Sequence, residues 1–347
     1  MAKPKVWWIE MRKEVWMLAA IIMLGIAIRL VVMSTLSVYN PPIDAFIVDK
    51  ESANVILHLQ NPYTYSFPVH DYYLNIFAYL PMVPIYYAPF YVLGDFRYGS
   101  IFADVLIMLA AFWIAKSYNR GLAFYAPLAY ALLPPSIWLS SIAGTNIMVG
   151  TAFLMLFFAA LLQKKYGVAA IFLGLGVASN QMVALLLPLF AFYYWNAHKL
   201  SRFTISLLVS TIIILPFYLS NPSKFIYDVV EFQFLRPAQL NGSYSLYHIL
   251  NTGFGIHLSF YIRATLFAVP FVLLAFWSRH KPNLLLISAG FLLFLEAFVL
   301  PINGFWTYFL PSIAILCAFI PATFERSIQK IKQLPSYVDS EALNSTN

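Results

Sequence analysis

Long apolar runs separated by short polar breaks organise this chain. The runs fall at about 16–36, 98–115, 121–138, 146–162, 167–179, 181–195, 203–219, 260–277, 283–300 and 304–321. A helix that crosses a bilayer needs roughly 18 or more predominantly apolar residues, and most of the runs reach or approach that length. The pattern predicts an all-α, polytopic transmembrane helix bundle of about ten spans. The runs 167–179 and 181–195 are short and broken only by the Ser179-Asn180-Gln181 stretch, so they predict a tight helical hairpin.

One further run, 75–93, reads NIFAYLPMVPIYYAPFYVL. It is long enough to cross, yet it holds Pro81, Pro84 and Pro89 among Tyr79, Tyr86, Tyr87 and Tyr91. Loop charge decides its course, because lysine and arginine concentrate in cytoplasmic loops. With the N-terminus inside, the inner segments hold 15 of the 21 basic residues: Lys3, Lys5, Arg12, Lys13, Lys116, Arg120, Lys164, Lys165, Lys199, Arg202, Arg279, Lys281, Arg326, Lys330 and Lys332. The outer segments hold Lys50, Arg97, Lys224 and Arg236, while Arg29 and Arg263 fall within spans. A single crossing by 75–93 would invert every later span and collapse this bias. The stretch is therefore expected to make no net crossing, either lying on the outer surface or dipping in and returning. Proline interrupts a helix ladder and tyrosine favours the headgroup level, which suits both courses.

Composition agrees with a membrane chain: 61% of residues are hydrophobic and 10% charged, against about 25% charged in a soluble domain. The net charge of +7 is dispersed over short loops, which gives no nucleic-acid footprint. The lone cysteine, Cys317, excludes an internal disulfide framework. No early small-residue cleavage site follows the first apolar run, which is expected to be a retained helix. Residues 1–322 are read as one membrane-embedded domain, and 323–347 as a cytoplasmic tail.

The two long outer segments, about 37–97 and 220–259, are where function is expected, since the inner loops are only a few residues each. They carry Asp44, Asp49, Glu51, Asp71, Asp95, Asp228 and Glu231. Asp44 follows Asn-Pro-Pro directly after the first span, so the chain is stiff there and the side chain lies close to the membrane. An apolar setting raises a carboxyl pKa toward that of a useful base. Within the spans, Asp104 and Glu296 are expected to make structural interhelix pairs, with Arg29 or Arg263 within reach of Asp104. The histidines, including His58, His70 and His248, show no metal-ligand spacing.

The order of features resembles the GT-C superfamily of integral membrane glycosyltransferases, polyprenyl-phosphate-sugar dependent and mannosyltransferase-like. A first span, Asp44, LQNPY at 59–63 and YLPMVPIYYAPFYVLGDFRYG follow one another as that family's aspartate, its PY turn and its proline helix do. Leu59 stands where the turn usually has glycine. SIAGTN at 141–146 occupies the place of an acidic motif in oligosaccharyltransferase catalytic subunits, and here it carries no acid. GVASNQMVALLLPLF at 176–190 and LSNPSKFIYDVVEFQFLR at 219–236 are similar to the family's hairpin and late outer loop.

The resemblance implies sugar transfer from a polyprenyl-phosphate donor to a glycan, lipid or protein acceptor at the non-cytoplasmic face of the plasma membrane. Asp44 is the expected base, with Asp49 next. Arg236, then Arg263 and Lys224, are expected to hold the leaving phosphate, because a phosphate needs cationic or hydrogen-bonding partners. Tyr63, His70, Asp71 and Gln181 are the acceptor- or sugar-binding candidates. Mg or Mn held through Asp44 is the one metal role left open. A multi-span transporter or lipid-linked oligosaccharide flippase is the rival reading, although no internal repeat is visible.

Overall fold

The computed structural model describes residues 4–36, 43–67, 76–235 and 242–333. Among them every regular element is a helix, apart from one isolated antiparallel bridge between Ser243 and Phe305.

The chain opens with α1 (Pro4–Ser34), whose 31 residues exceed what a bilayer requires. Helices α2 (Asp44–Leu57) and α3 (Met82–Val92) occupy the first long segment and pack on one another. Helix α3 is the proline run. Its 11 residues give about 16 Å of length, roughly half of the ~30 Å hydrocarbon core, so this helix by itself cannot cross. Pro84 sits in its first turn, where the backbone N–H has no intrahelical role, and Gly94, at φ +100°, turns the chain just beyond its end.

The bundle proper follows: α4 (Arg97–Lys116), α5 (Tyr125–Ala131), α6 (Pro134–Trp138) running on as a π turn over Leu139–Ala143, α7 (Ile147–Leu162), α8 (Tyr166–Val177), α9 (Gln181–Leu185), α10 (Leu187–Asn196) and α11 (Leu200–Ser220). The second long segment holds α12 (Pro222–Ile226), a π turn Tyr227–Glu231, α13 (Phe232–Leu235) and α14 (Leu246–Phe254). Helices α15 (Phe260–Ser278), α16 (Pro282–Val299) and α17 (Leu310–Gln333) complete the order.

Each of the ten expected spans falls on one helix or on a consecutive pair. Five described helices are long and apolar enough to cross alone: α1 from Lys13, α4, α11, α15 and α16. Helices α5 and α6, with their π extension, reach that length and apolarity only together, as a broken span or a re-entrant pair bent by 55° where Pro134 and Pro135 interrupt the ladder. Helices α7, α8 and the 306–321 run are apolar but shorter. Helix α7 is buried nearly all round, as a helix without a polar face must be, and lies against α4 and α8. Helices α1, α11 and α15 are peripheral, with 11%, 17% and 11% of their apolar windows buried, against 67% for α4. Their outward apolar side chains suit lipid as the surrounding medium.

Buried polar pairs register the helices. Arg29 of α1 forms an ion pair with Asp104 of α4, both fully buried, and also donates to the Ala131 carbonyl at 3.0 Å and to Ser136 Oγ at 2.8 Å. Tyr130 donates its hydroxyl to Asp104 Oδ1 at 2.6 Å. Asp104 thus makes the expected interhelix pair, with Arg29. The expectation fails for Glu296: its Oε2 is buried without a hydrogen-bond partner, and among the described residues it joins no ion pair. Arg263 of the neighbouring α15 donates instead to the Leu300 carbonyl, four residues beyond Glu296.

Candidate active site

Helix α2 begins at Asp44, preceded by the extended residue Ile43. The half-buried carboxylate lies in the first turn, where the unpaired N–H groups favour an anion, and its Oδ1 is 2.6 Å from the Ala45 nitrogen. Asp49, five residues on and rotated to another face, is fully buried. Its Oδ2 accepts the backbone N–H of Asn146 at 2.9 Å, while Oδ1 has no partner. Burial pushes the Asp49 carboxyl well above the usual carboxylate range, and the negative charge of Asp44 adds to the shift. Asp44 is therefore the more exposed of the two carboxylates, and Asp49 the one that fastens α2 to the bundle.

The Asn146 N–H is presented by the SIAGTN loop, which turns at Gly144 with φ +55°. A Cβ there would meet Phe96 Cζ at 2.7 Å, so both backbone and space demand glycine. The neighbouring Thr145 carbonyl accepts the hydroxyl of Tyr87 at 2.9 Å, which ties this loop to α3.

Arg97 organises the same region, a role the sequence reading missed. It makes a two-nitrogen contact with Asp95, at 2.6 Å for the shorter bond, and donates to the carbonyls of Ser141 at 3.1 Å and Leu36 at 3.2 Å. Its guanidinium lies 5.7 Å from the ring centroid of Phe46 on α2. One side chain thus collects the end of α1, the π turn, the start of α4 and the helix that carries Asp44. In sequence Arg97 is simply one more loop cation, and its carbonyl partners carry no residue-type signal.

A second group forms around residues 77–80. Tyr63, in the 3₁₀ turn Pro62–Thr64, is buried and gives its hydroxyl to the Tyr79 carbonyl at 2.7 Å. Its ring packs on Phe77 and Phe225, with centroids at 5.2 and 4.7 Å. Gln181 Nε2 donates to the Ala78 carbonyl at 2.7 Å. Lys224 pairs with buried Asp228 at 2.5 Å. Burial raises the Asp228 carboxyl more than Lys224 lowers it. Lys224 also lines an open depression of about 630 Å³ with Asn221, Ser223, Ile226, Tyr227 and Glu231.

Arg263 has different neighbours. It sits in the first turn of α15, buried, donating to the Leu300 carbonyl beyond α16. The rings of Tyr247 and Phe260 flank it at 5.4 and 6.0 Å, and its Nε is unpartnered. The structure thus brings Tyr63, Gln181 and Lys224 together and sets Asp44 and Asp49 on the adjoining α2, with Arg263 held by α14 and the end of α16. Arg236, His70 and Asp71 lie outside the described residues. Among the described residues no three His, Cys, Asp or Glu side chains converge as a metal-ligand set.

Known structures share this architecture. ArnT from Cupriavidus metallidurans in the apo state aligns with a TM-score of 0.59 at 16% identity, over 89% of this chain and 61% of that one. The same protein bound to undecaprenyl phosphate gives 0.57 at 15% identity, over 85% and 59%. The archaeal oligosaccharyltransferase AglB from Archaeoglobus fulgidus, in complex with an inhibitory peptide and a dolichol-phosphate, gives 0.51 at 12% identity, over 92% and 52%. The chain thus spans between half and about three fifths of the length of these neighbours. No protein-family model and no curated protein matches the sequence. At such identities the likeness shows the fold alone: this chain shares the helical membrane-protein architecture of ArnT and AglB.

Proposed function

We propose that this chain is a membrane glycosyltransferase that moves a sugar from a polyprenyl-phosphate-linked donor to an acceptor hydroxyl at the non-cytoplasmic face of the plasma membrane. The observation that carries the reading is the division of labour on α2: Asp49 is buried and tied to Asn146, which leaves Asp44 presented at the helix start. Two neighbours of the same fold are described with polyprenyl phosphates bound, which supports the donor class.

In this reading the acceptor oxygen attacks the anomeric carbon as its proton passes to Asp44. The bond from that carbon to the phosphate oxygen breaks, and polyprenyl phosphate departs with the electron pair. Lys224, Arg263 and Arg236 are the cations that would receive the phosphate. Gln181, Tyr63, His70 and Asp71 belong to the acceptor side, and the proline helix α3 would form a wall of the active site between the Asp44 segment and the lipid. Were a divalent Mg or Mn ion bound, Asp44 would be the residue to hold it, and the ion would supply charge neutralisation to the leaving group. A hexose, mannose by the family resemblance, is the proposed sugar, and a glycan, lipid or protein hydroxyl the acceptor.

The test is incubation of the purified protein with a panel of polyprenyl-phosphate sugars and acceptors, reading release of polyprenyl phosphate. Release by the wild type and its loss in Asp44→Asn support the reading. Full release by Asp44→Asn removes the base assignment, and no release from any donor removes the transferase.

A further inference from the structure

Helix α14 does not pack as the other elements do. Its nine residues include none that is buried. Yet they are strongly patterned: Leu246, Ile249, Leu250, Gly253 and Phe254 recur at the i, i+3, i+4, i+7, i+8 positions of one helical face, and His248, Asn251 and Thr252 take the other. Ile249 is 46% and Phe254 72% exposed.

The helix is nevertheless well defined at both ends. Ser245 Oγ accepts the His248 N–H at 3.1 Å and donates to the Ile302 carbonyl at 2.6 Å. The Tyr244 N–H reaches the Gly304 carbonyl at 2.6 Å, and the Gly304 N–H returns to Ser243 Oγ at 3.0 Å. Gly255, at φ +67°, stops the helix. Leu246 and Leu250 are half-buried, so the part of the apolar face held in place and left open is Ile249, Gly253 and Phe254, and it needs an occupant.

Its position names one. Only residues 255–259 separate α14 from α15, a span whose first residues are themselves outward and apolar: Phe260, Tyr261 and Ile262. Tyr247 of α14 lies over Arg263, one turn into that span, with the guanidinium carbon 5.4 Å from the ring centroid. That contact sets α14 beside the first turn of α15, where Phe260, Tyr261 and Ile262 are exposed apolar residues as Ile249 and Phe254 are. Histidine, asparagine and threonine on the opposite face suit water and headgroups.

We propose that α14 is an interfacial helix that lies in the plane of the membrane, with Ile249 and Phe254 in the acyl boundary and His248 and Thr252 toward the headgroups. Lipid is then the partner that completes this surface, and by seating Tyr247 it holds the aromatic cover over Arg263.

The test places a nitroxide at single cysteines in the full chain, on a Cys317→Ala background, reconstituted in phosphatidylcholine vesicles. The positions are Ile249→Cys, Phe254→Cys, His248→Cys and Thr252→Cys, with unchanged gel-filtration profiles. Collision with oxygen, which concentrates in the acyl region, is compared with collision with a water-soluble nickel chelate. The oxygen-to-nickel ratio is expected to be several-fold higher at 249 and 254 than at 248 and 252. Equal ratios at all four positions would overturn the proposal. So would exclusion of both reagents from 249 and 254, which would mark a protein partner such as a second copy. The readout needs no sugar donor, so it is separate from the test of transferase activity.

Discussion

Asp49 on α2 accepts the backbone N–H of Asn146, 97 residues later in the chain, at 2.9 Å. This bond binds the helix that presents Asp44 to the loop that opens α7. Asp49→Ala removes the acceptor and strands the N–H, at an expected cost of about 1–3 kcal/mol. Asp49→Asn keeps an acceptor oxygen and should cost less. Thermal unfolding of the two variants in detergent measures the difference, and an Asp49→Ala midpoint equal to wild type would show that the bond carries nothing.

The same residue predicts a pH dependence. Burial, with Asp44 nearby, holds the folded Asp49 pKa above its unfolded value. The folded state then binds the proton more tightly, so stability is greatest below the ordinary aspartate pKa and falls as pH rises through the folded value. A pH series of thermal midpoints should show this fall in the wild type and a flatter profile in Asp49→Asn.

Asp44→Asn should move that midpoint little, by about 1 kcal/mol or less: the first turn loses its anion, while buried Asp49 is relieved of a neighbouring negative charge. Loss of a general base is worth about 10²–10⁴ in rate. Initial rates of polyprenyl phosphate release, compared with the melting curve of the same preparation, separate loss of chemistry from loss of fold.

The Arg29–Asp104 pair is fully buried between α1 and α4. Arg29→Leu alone leaves a buried carboxylate without its cation, with an expected loss of about 3–5 kcal/mol. Arg29→Leu combined with Asp104→Leu removes both charges and should recover much of that loss. A double-mutant cycle of unfolding midpoints checks it, and purely additive losses would count against the pairing.

Gly174 lets α8 lie directly on α11: a Cβ there would fall 2.6 Å from the Ser206 carbonyl oxygen and 2.7 Å from Val209 Cβ. Backbone cannot swing aside as a side chain does. Gly174→Ala should destabilise by about 1–3 kcal/mol, whereas Gly167→Ala, which meets nothing within 4 Å, should not. Side-by-side melting of the two variants decides the point.

Much of the architecture was legible before any coordinates. Every expected span falls on helix, five of them long and apolar enough to cross alone, and the proline run holds the 11-residue helix α3. Asp104 found its expected kind of partner in Arg29. Glu296 joins no ion pair among the described residues: Arg263, on the neighbouring α15, gives its hydrogen bond to the Leu300 carbonyl, and sequence position does not say which acceptor a side chain will reach.

By itself the sequence determined an all-helical membrane chain. Apolar runs of that length and a scarcity of charge leave the backbone no way to satisfy its hydrogen bonds in lipid except within helices. Only the tertiary structure decided which of two nearby acids faces outward. The rotation of α2 about its axis is set by packing and by the Asn146 N–H, and a turn of 100° per residue places Asp44 and Asp49 on different faces. The gathering of α1, α2, α4 and the π turn around Arg97 belongs to the same category, since backbone carbonyls are present at every position and only folding selects the ones that meet.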